Sequence, residues 1–257
     1  MRLYLKFFSI HFRSAMTYRA SFFLSCLGHL LITTNVFLSV VFLLDRFTSV
    51  GGYTLPQLAL CFAVILSAAS LAECFGRGFD AFAKILSQAQ FDRMMVRPRS
   101  LAFQVLCQDM KPTMLARLLQ AVILLVWAVN SGAVAWTPAK ALVLALMILC
   151  GAALFFGLFL IGAALCFFTM ESLEVLNIFT NGPREYGKYP FGIYGRPVLL
   201  TLTFLVPLAL VQHWPLQYLL GRGPAWYGVL PVVSLLFLIP CVLLWRLGVR
   251  HYRSTGS

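Results

Sequence analysis

Charged side chains are scarce in this sequence. Only 11% of its 257 residues are Asp, Glu, Lys or Arg, and 61% are hydrophobic, whereas charged residues alone make up about 25% of an ordinary soluble domain. Six long runs contain no charged residue: 20–44, 47–72, 118–139, 141–170, 197–221 and 223–245. A membrane-spanning α-helix needs roughly 20 apolar residues, so each run is long enough. The composition excludes a soluble domain and predicts an all-α membrane protein.

Groups of catalytic or metal-binding residues are also missing. The seven cysteines show no short paired spacing, which excludes a disulfide framework and a zinc site. The four histidines are far apart, and no His-x-x-x-His or Gly-x-Ser-x-Gly pattern occurs. Glu171 and Glu174 could hold a metal ion, but a solvated helix face is the favoured interpretation. We therefore predict no catalytic residue and no metal site.

One stretch partly matches the pattern of a nucleotide-binding loop. Residues 182–189 fit most of the phosphate-loop pattern, but Tyr189 stands where Ser or Thr must reach magnesium, and no strand-turn-helix context surrounds it. In addition, every Asp and Glu lies at the edge of a predicted span or in a loop, whereas ion-driven transporters usually carry acids inside the membrane. We therefore expect the chain to bind no cofactor and to depend on a partner for energy.

The apolar runs predict six transmembrane helices within a single domain, residues 1–257. The predicted spans are about 20–44, 55–73, 114–130, 141–169, 197–212 and 226–246, with a short outer hairpin between the last two. Six spans put both termini on the same side of the membrane, and the segments on that side hold 17 of the 20 basic residues. Basic loops stay in the cytoplasm, so both termini are predicted to be cytoplasmic. The net charge of +12 then reflects membrane orientation rather than binding to nucleic acid.

Residues 1–19 alternate basic and apolar side chains with helical period. Arg2, Lys6 and Arg13 share one face, which predicts an amphipathic helix lying in the inner headgroup layer among membrane lipids. A simple anchor that sets the topology would produce the same pattern.

The first span carries a polar stripe. Its members fall in one arc of a helix: Ser25, Gly28, His29, Thr33, Asn35 and Ser39. Small and hydroxyl residues allow membrane helices to approach and to hydrogen-bond, so we expect the stripe to face protein. The pattern leaves open whether it faces a transport pathway or a subunit interface.

The one long charged insert, residues 73–117, lies between the second and third spans. Helical spacing predicts a first short helix over its early part, and Arg97-Pro98 ends it because a residue before proline avoids the α region. Ser100 is placed to cap a second helix, 101–110. The insert is thus predicted to form a rigid, basic cytoplasmic projection; the alternative is a solvated loop that only sets the topology.

Several segments, taken in order, resemble the bacterial ABC-2 family transporter proteins, which are permease subunits of ABC exporters. They are the basic amphipathic start, Phe91-Asp92-x-x-Met95-x-Arg97-Pro98-Arg99-Ser100 followed by Phe103-Gln104-Val105, Tyr189-Pro190-Phe191-Gly192-Ile193-Tyr194, Phe204-Leu205-Val206-Pro207, Trp214-Pro215-Leu216-x-Tyr218-Leu219-Leu220-Gly221 and the tail 248–256. Gln88-Ala89-Gln90 departs from the family pattern, which has a small or glycine-containing turn with an acid there.

The resemblance implies a permease in the bacterial inner membrane that pairs with a second, identical or related permease. It also implies two cytoplasmic ABC ATP-binding subunits, which would hold ATP and Mg, and transport in the export direction. The insert would dock the ATPase as a coupling helix. The coupling residues are then Phe91, Asp92, Arg93, Arg97, Pro98 and Arg99.

Two other functions fit the composition. One is a membrane enzyme of lipid or prenyl chemistry, which would need clustered acids or histidines at the inner face; the sequence shows none. The other is a membrane scaffold that recruits a soluble partner. The transported substrate cannot be read from the sequence, although a pathway with few charges favours an amphipathic or hydrophobic cargo.

Overall fold

The fold is built from long apolar helices, as the composition predicts. The computed structural model describes residues 2–46, 49–169, 182, 186–187 and 189–252. The helices are α1 (Arg2–Thr17), α2 (Arg19–Arg46), α3 (Leu55–Asp80), α4 (Phe82–Ser87), α5 (Gln90–Met95), α6 (Leu101–Gln108), α7 (Met114–Asn130), α8 (Pro138–Thr169), α9 (Arg196–Phe204), α10 (His213–Leu219), α11 (Leu230–Ser234) and α12 (Leu238–His251). Short 3₁₀ turns occupy Phe191–Tyr194, Ala225–Val229 and Leu235–Phe237.

Helix α3 is the centre of the bundle. It packs along both α7 and α8, and 89% of its apolar window is buried, against 11% for α2. Small residues allow this close approach: a Cβ on Gly151 of α8 would lie 2.9 Å from the Cβ of Ala68. Helix α2 therefore lies at the edge of the bundle and contacts it along one face only.

The first four predicted spans each coincide with one continuous helix. Helix α7 begins and ends at the predicted residues, 114 and 130. The second helix is longer than predicted, since α3 continues from Glu73 to Asp80. No proline interrupts this part of the sequence, so the backbone has no reason to leave the helical conformation at residue 73.

The fifth predicted span, 197–212, is helical only as far as Phe204, and its crossing of the membrane stays a prediction. Helix α9 ends at Phe204 and turns follow to residue 212, because Pro207 has no N–H and its ring would clash with the carbonyl of residue 203 in a helix. The last span is continuous from Ala225 to His251, with a 3₁₀ turn where Pro240 cannot bond to the carbonyl of Leu236.

By length and composition, four helices of the described residues could cross a membrane, and α7 is a shorter apolar helix. These four are α2, α3 extended through α4, α8, and the run from Ala225 to His251. The structure thus supports a multi-pass membrane protein, while the count of six spans stays a prediction.

The bundle has two ends, which we name the insert end (α4–α6) and the far end (Val50–Tyr53). Residues 189–194 lie toward the far end, where the Ile193 side chain packs against Gly51. The six-span topology puts the segment 171–196 on the same side of the membrane as the insert, whereas its part 189–194 lies toward the opposite end of the bundle. Residues 170–181, 183–185 and 188, with Glu171, Glu174 and half of the phosphate-loop-like stretch, lie outside the described residues.

Candidate functional site

The insert forms a tight corner between α5 and α6. Helix α5 ends at Met95 and α6 begins after Ser100, with the predicted break at Arg97-Pro98 between them. The single helix predicted before this break is divided into α4 and α5 at Gln88-Ala89. Ser100 occupies the N-cap position, but its hydroxyl makes no capping bond. The Gln104 amide instead donates from Nε2 to the carbonyls of Met94 and Arg99, both at 3.0 Å. One side chain thus connects the end of α5 to the start of α6.

The six predicted coupling residues divide into two groups. Phe91 is fully buried and Asp92 accepts a 3.0 Å hydrogen bond from the Tyr252 hydroxyl, so both hold the corner against the bundle. The other four are exposed at its tip: Arg93, Arg97, Pro98 and Arg99. These four, with their neighbours Met95 at 44% and Val96 at 84% exposed, present side chains at the surface of the corner.

An aromatic cluster attaches the corner to the bundle. Its six rings are Phe79, Phe82, Phe91, Phe167, Trp245 and Tyr252. Phe91 contacts Phe82, Phe167 and Tyr252 with ring centroids 5.0–5.4 Å apart. Phe79, Phe82 and Phe91 belong to the insert, and Phe167 lies near the end of α8. Trp245 belongs to α12, and Tyr252 is the residue after it. A displacement of α5 is therefore transmitted directly to two long helices, since packed rings cannot yield independently.

The N-terminal helix is bound to the same unit. The Tyr4 hydroxyl donates to the Phe75 carbonyl at 2.6 Å, and His11 Nε2 lies 3.0 Å from the Cys107 carbonyl oxygen. Burial raises the pKa of Tyr4 to about 12, which extends the pH range over which its hydroxyl can donate this bond above the ordinary range of a tyrosine. The helical prediction for residues 1–19 is confirmed over Arg2–Thr17, and its place in the headgroup layer stays a prediction.

Glycine 78 sets the distance between the insert and α3. A Cβ at this position would lie 1.9 Å from the carbonyl oxygen of Val105 in α6, closer than any real Cβ contact. Helix α6 can therefore cross α3 only with glycine there, and the corner is held at a fixed distance from the central helix.

The sequence analysis missed a buried ion pair at the insert end. Glu73 of α3 and Arg117 of α7 approach to 3.2 Å, with side chains only 3% and 9% exposed. The available signal was the position of the two opposite charges at the ends of adjacent spans. A buried charge is strongly disfavoured without a partner, so the pair fixes α3 against α7 beside the insert.

The polar stripe of α2 does not face one environment. Thr33 is buried, where its hydroxyl bonds to the carbonyl of His29, and His29 is partly buried. Ser25, Asn35 and Ser39 are exposed. Within this chain only Gly28, His29 and Thr33 of the stripe are at least partly covered by protein, and the predicted pathway or subunit interface along it stays a prediction.

Comparison with known families now identifies the molecule. A family model described as "ABC-2 family transporter protein" matches residues 30–256, which is most of the chain and includes the corner, the aromatic cluster and the Glu73–Arg117 pair. The chain belongs to the ABC-2 transporter family. No curated protein and no solved structure matches it.

Membership of the ABC-2 transporter family makes the chain the membrane component, or permease, of an ABC transporter and not itself a catalytic enzyme. The family also implies association with an ABC ATP-binding subunit. The enzyme and scaffold alternatives are thereby set aside. Helix α1 lies outside the matched region and is attached to it by the bonds to Phe75 and Cys107 and by the ring contacts Phe8–Phe75 and Phe7–Phe103.

Proposed function

We propose that this ABC-2 permease is an exporter subunit of the bacterial inner membrane, and that the α5–α6 corner docks the ATP-binding subunit. Its termini and the insert then lie in the cytoplasm, where the motor subunit holds ATP and Mg. A second permease, identical or related, completes the pathway.

The observation that carries this proposal is the corner itself. Exposed apolar side chains, Val96 at 84% and Met95 at 44%, lie beside three exposed arginines, whereas Asp92 is already hydrogen-bonded to Tyr252. A surface with an apolar centre and a basic rim suits a partner groove that is apolar with an acidic edge. Because the corner is fixed by Gln104 and by the aromatic cluster, force applied there reaches α8 and α12.

Alternating access is the mechanism that follows from this arrangement. Closure of the ATPase dimer would press on the corner and on α1, which bonds to Phe75 and Cys107. The aromatic cluster would then tilt α8 and α12, opening the pathway away from the insert end. The cargo is proposed to be amphipathic or hydrophobic, as the charge-poor spans favour.

The second permease is proposed to cover the exposed face of α2. Asn35 and Ser39 are exposed there, and a polar amide facing lipid is unfavourable unless a neighbouring helix bonds to it. An Asn35→Leu variant should lower the dimer fraction in detergent, measured by light scattering, while Asn130→Leu at the end of α7 should not. Equal dimer fractions for wild type and Asn35→Leu would contradict this interface.

The docking assignment is tested by charge reversal at the corner. In an Arg97→Glu plus Arg99→Glu variant, we expect co-purification of the ATP-binding subunit to fall and its ATPase activity in lipid to become uncoupled. The control is Arg46→Glu, at an exposed basic residue at the end of α2. It changes the charge by the same amount as either single variant, Arg97→Glu or Arg99→Glu, and is compared with these two. Unchanged assembly and coupling in the double variant would overturn the assignment.

A further inference from the structure

An apolar groove opens between α6, α8 and α12, beside the aromatic cluster. Its volume is about 690 Å³, within the range of roughly 300–1,000 Å³ that is usual for sites that bind small organic ligands. The apolar part of its wall is formed by Phe103, Leu106, Phe156, Leu160, Val242 and Trp245. The groove is therefore suited to a hydrocarbon chain.

One side of the groove is strongly basic. Arg246 and Arg250 line it one helical turn apart on α12, so their guanidinium groups can reach the same anion. Both are exposed, and neither forms an ion pair with any described residue. No Asp or Glu lines the groove. The two arginines at this end therefore favour an anionic headgroup over a zwitterionic or cationic one.

The first turn of α6 lies on the same rim. Ser100, Leu101 and Ala102 line the groove, and the first N–H groups of a helix have no partner inside it. Ser100 does not cap them with its hydroxyl. These donors add to the two arginines but would not make a site without them.

We propose that this groove binds an anionic phospholipid, with the phosphate between Arg246 and Arg250 and part of one acyl chain along the apolar wall. The walls come from two long apolar helices and from the insert, so the groove spans the boundary between hydrocarbon and headgroups. Basic pockets between transmembrane helices at the cytoplasmic face bind anionic headgroups in this way. The site depends on the membrane placement of the helices but not on docking of the ATP-binding subunit.

The site has a consequence for the permease. Trp245 belongs both to the groove and to the aromatic cluster, so a bound lipid contacts the unit that connects the corner to α12. Occupancy of the groove is therefore expected to stabilise the insert end as a whole, raising the thermal unfolding temperature of the full chain.

The test uses the purified full-length chain in detergent. Phosphatidylglycerol and phosphatidylcholine with the same acyl chains are added separately, and retained lipid is counted by native mass spectrometry. We expect one retained phosphatidylglycerol per chain and a rise in unfolding temperature, with weaker retention of phosphatidylcholine. Arg246→Ala plus Arg250→Ala should weaken phosphatidylglycerol binding about 30-fold, since each basic residue contributes about 1 kcal/mol.

Three further variants make the result specific. Arg93→Ala plus Arg97→Ala removes two exposed arginines four residues apart at the corner and should leave binding unchanged. Arg246→Lys plus Arg250→Lys keeps the charge and should retain the preference for phosphatidylglycerol, which separates loss of the site from misfolding. Ala102→Trp should fill the groove and lower retention of lipid.

Three results would overturn the proposal. The first is equal retention of the two lipids by the wild-type chain. The second is unchanged phosphatidylglycerol binding after loss of Arg246 and Arg250. The third is complete competition by inorganic phosphate at the concentration of the lipid, which would indicate an anion site that makes no use of the apolar wall.

Discussion

Glu73 and Arg117 approach to 3.2 Å across the interface between α3 and α7, with both side chains almost completely buried. The pair lies in the same part of α3 as Phe75, the residue that accepts the hydrogen bond from Tyr4. Helices α1, α3 and α7 are therefore held together at the place where the insert begins and ends.

Removing the charge of one member of this pair should lower the stability of the chain more than replacing both members with apolar residues. Glu73→Gln keeps the size of the side chain but leaves the Arg117 charge buried without its counter-ion, which should lower the free energy of unfolding by about 3–5 kcal/mol. Glu73→Leu plus Arg117→Leu should recover most of that loss. Denaturant unfolding of the chain in micelles measures both, and a Glu73→Gln variant as stable as wild type would contradict the prediction.

Gly78→Ala should separate α6 from α3. The added methyl would lie 1.9 Å from the Val105 carbonyl oxygen, a backbone atom that cannot move alone, so we expect destabilisation of at least about 1–3 kcal/mol. Gly28→Ala is the matched control, because this helical glycine of α2 has nothing within 4 Å of the added methyl. Equal unfolding midpoints for the two variants would show that the close crossing does not exist in solution.

Ala89→Gly should stabilise the chain. Ala89 is the residue between α4 and α5 and has φ +53°, a left-handed conformation that costs a non-glycine residue roughly 1–2 kcal/mol. Glycine removes this strain because it has no Cβ. Ala81→Gly, at φ −85°, should have the opposite sign. The unfolding midpoints of the two variants decide the matter; a loss of stability in Ala89→Gly would be inconsistent with the left-handed turn.

Truncation of Phe91 should lower the stability of the chain, whereas truncation of Val96 should lower only its affinity for the ATP-binding subunit. Phe91→Ala removes a fully buried ring and should cost about 3–5 kcal/mol of stability in the isolated chain. Val96→Ala alters a side chain that is 84% exposed, so stability should change by less than about 0.5 kcal/mol, while affinity for the ATP-binding subunit should fall. Thermal unfolding and a pull-down of that subunit measure the two effects. A Val96→Ala variant with full affinity would remove Val96 from the docking surface.

Local patterns in the sequence were sufficient to predict most of the helices. Uncharged runs gave the first four spans, and helical periodicity gave α1. The proline corner of the insert was found because Arg97-Pro98 restricts the backbone itself. Ser100 does occupy the N-cap position of α6, as predicted, but its hydroxyl makes no capping bond. The Gln104 side chain, four residues later, instead bonds to the carbonyls of Met94 and Arg99.

Long-range packing could not be inferred in the same way. Phe91 looked like a surface residue beside charged neighbours, because its partners Phe167 and Tyr252 are far away in sequence. The location of Ile193 beside Gly51 was missed for a similar reason, since the basic residues near that segment indicated the insert end. The Glu73–Arg117 pair was within reach of the sequence, as each is an isolated charge next to a long apolar run.

The aromatic cluster joins residues that leave the ribosome at very different times. Phe91 is synthesised early, but its ring is enclosed only after Phe167, Trp245 and Tyr252 have followed. During translation the aromatic attachment of the corner to the bundle is therefore incomplete until Tyr252 has been made. A prematurely terminated chain would lack the enclosing rings, so the proposed docking surface would be packed against the ends of α8 and α12 only in a chain synthesised through Tyr252.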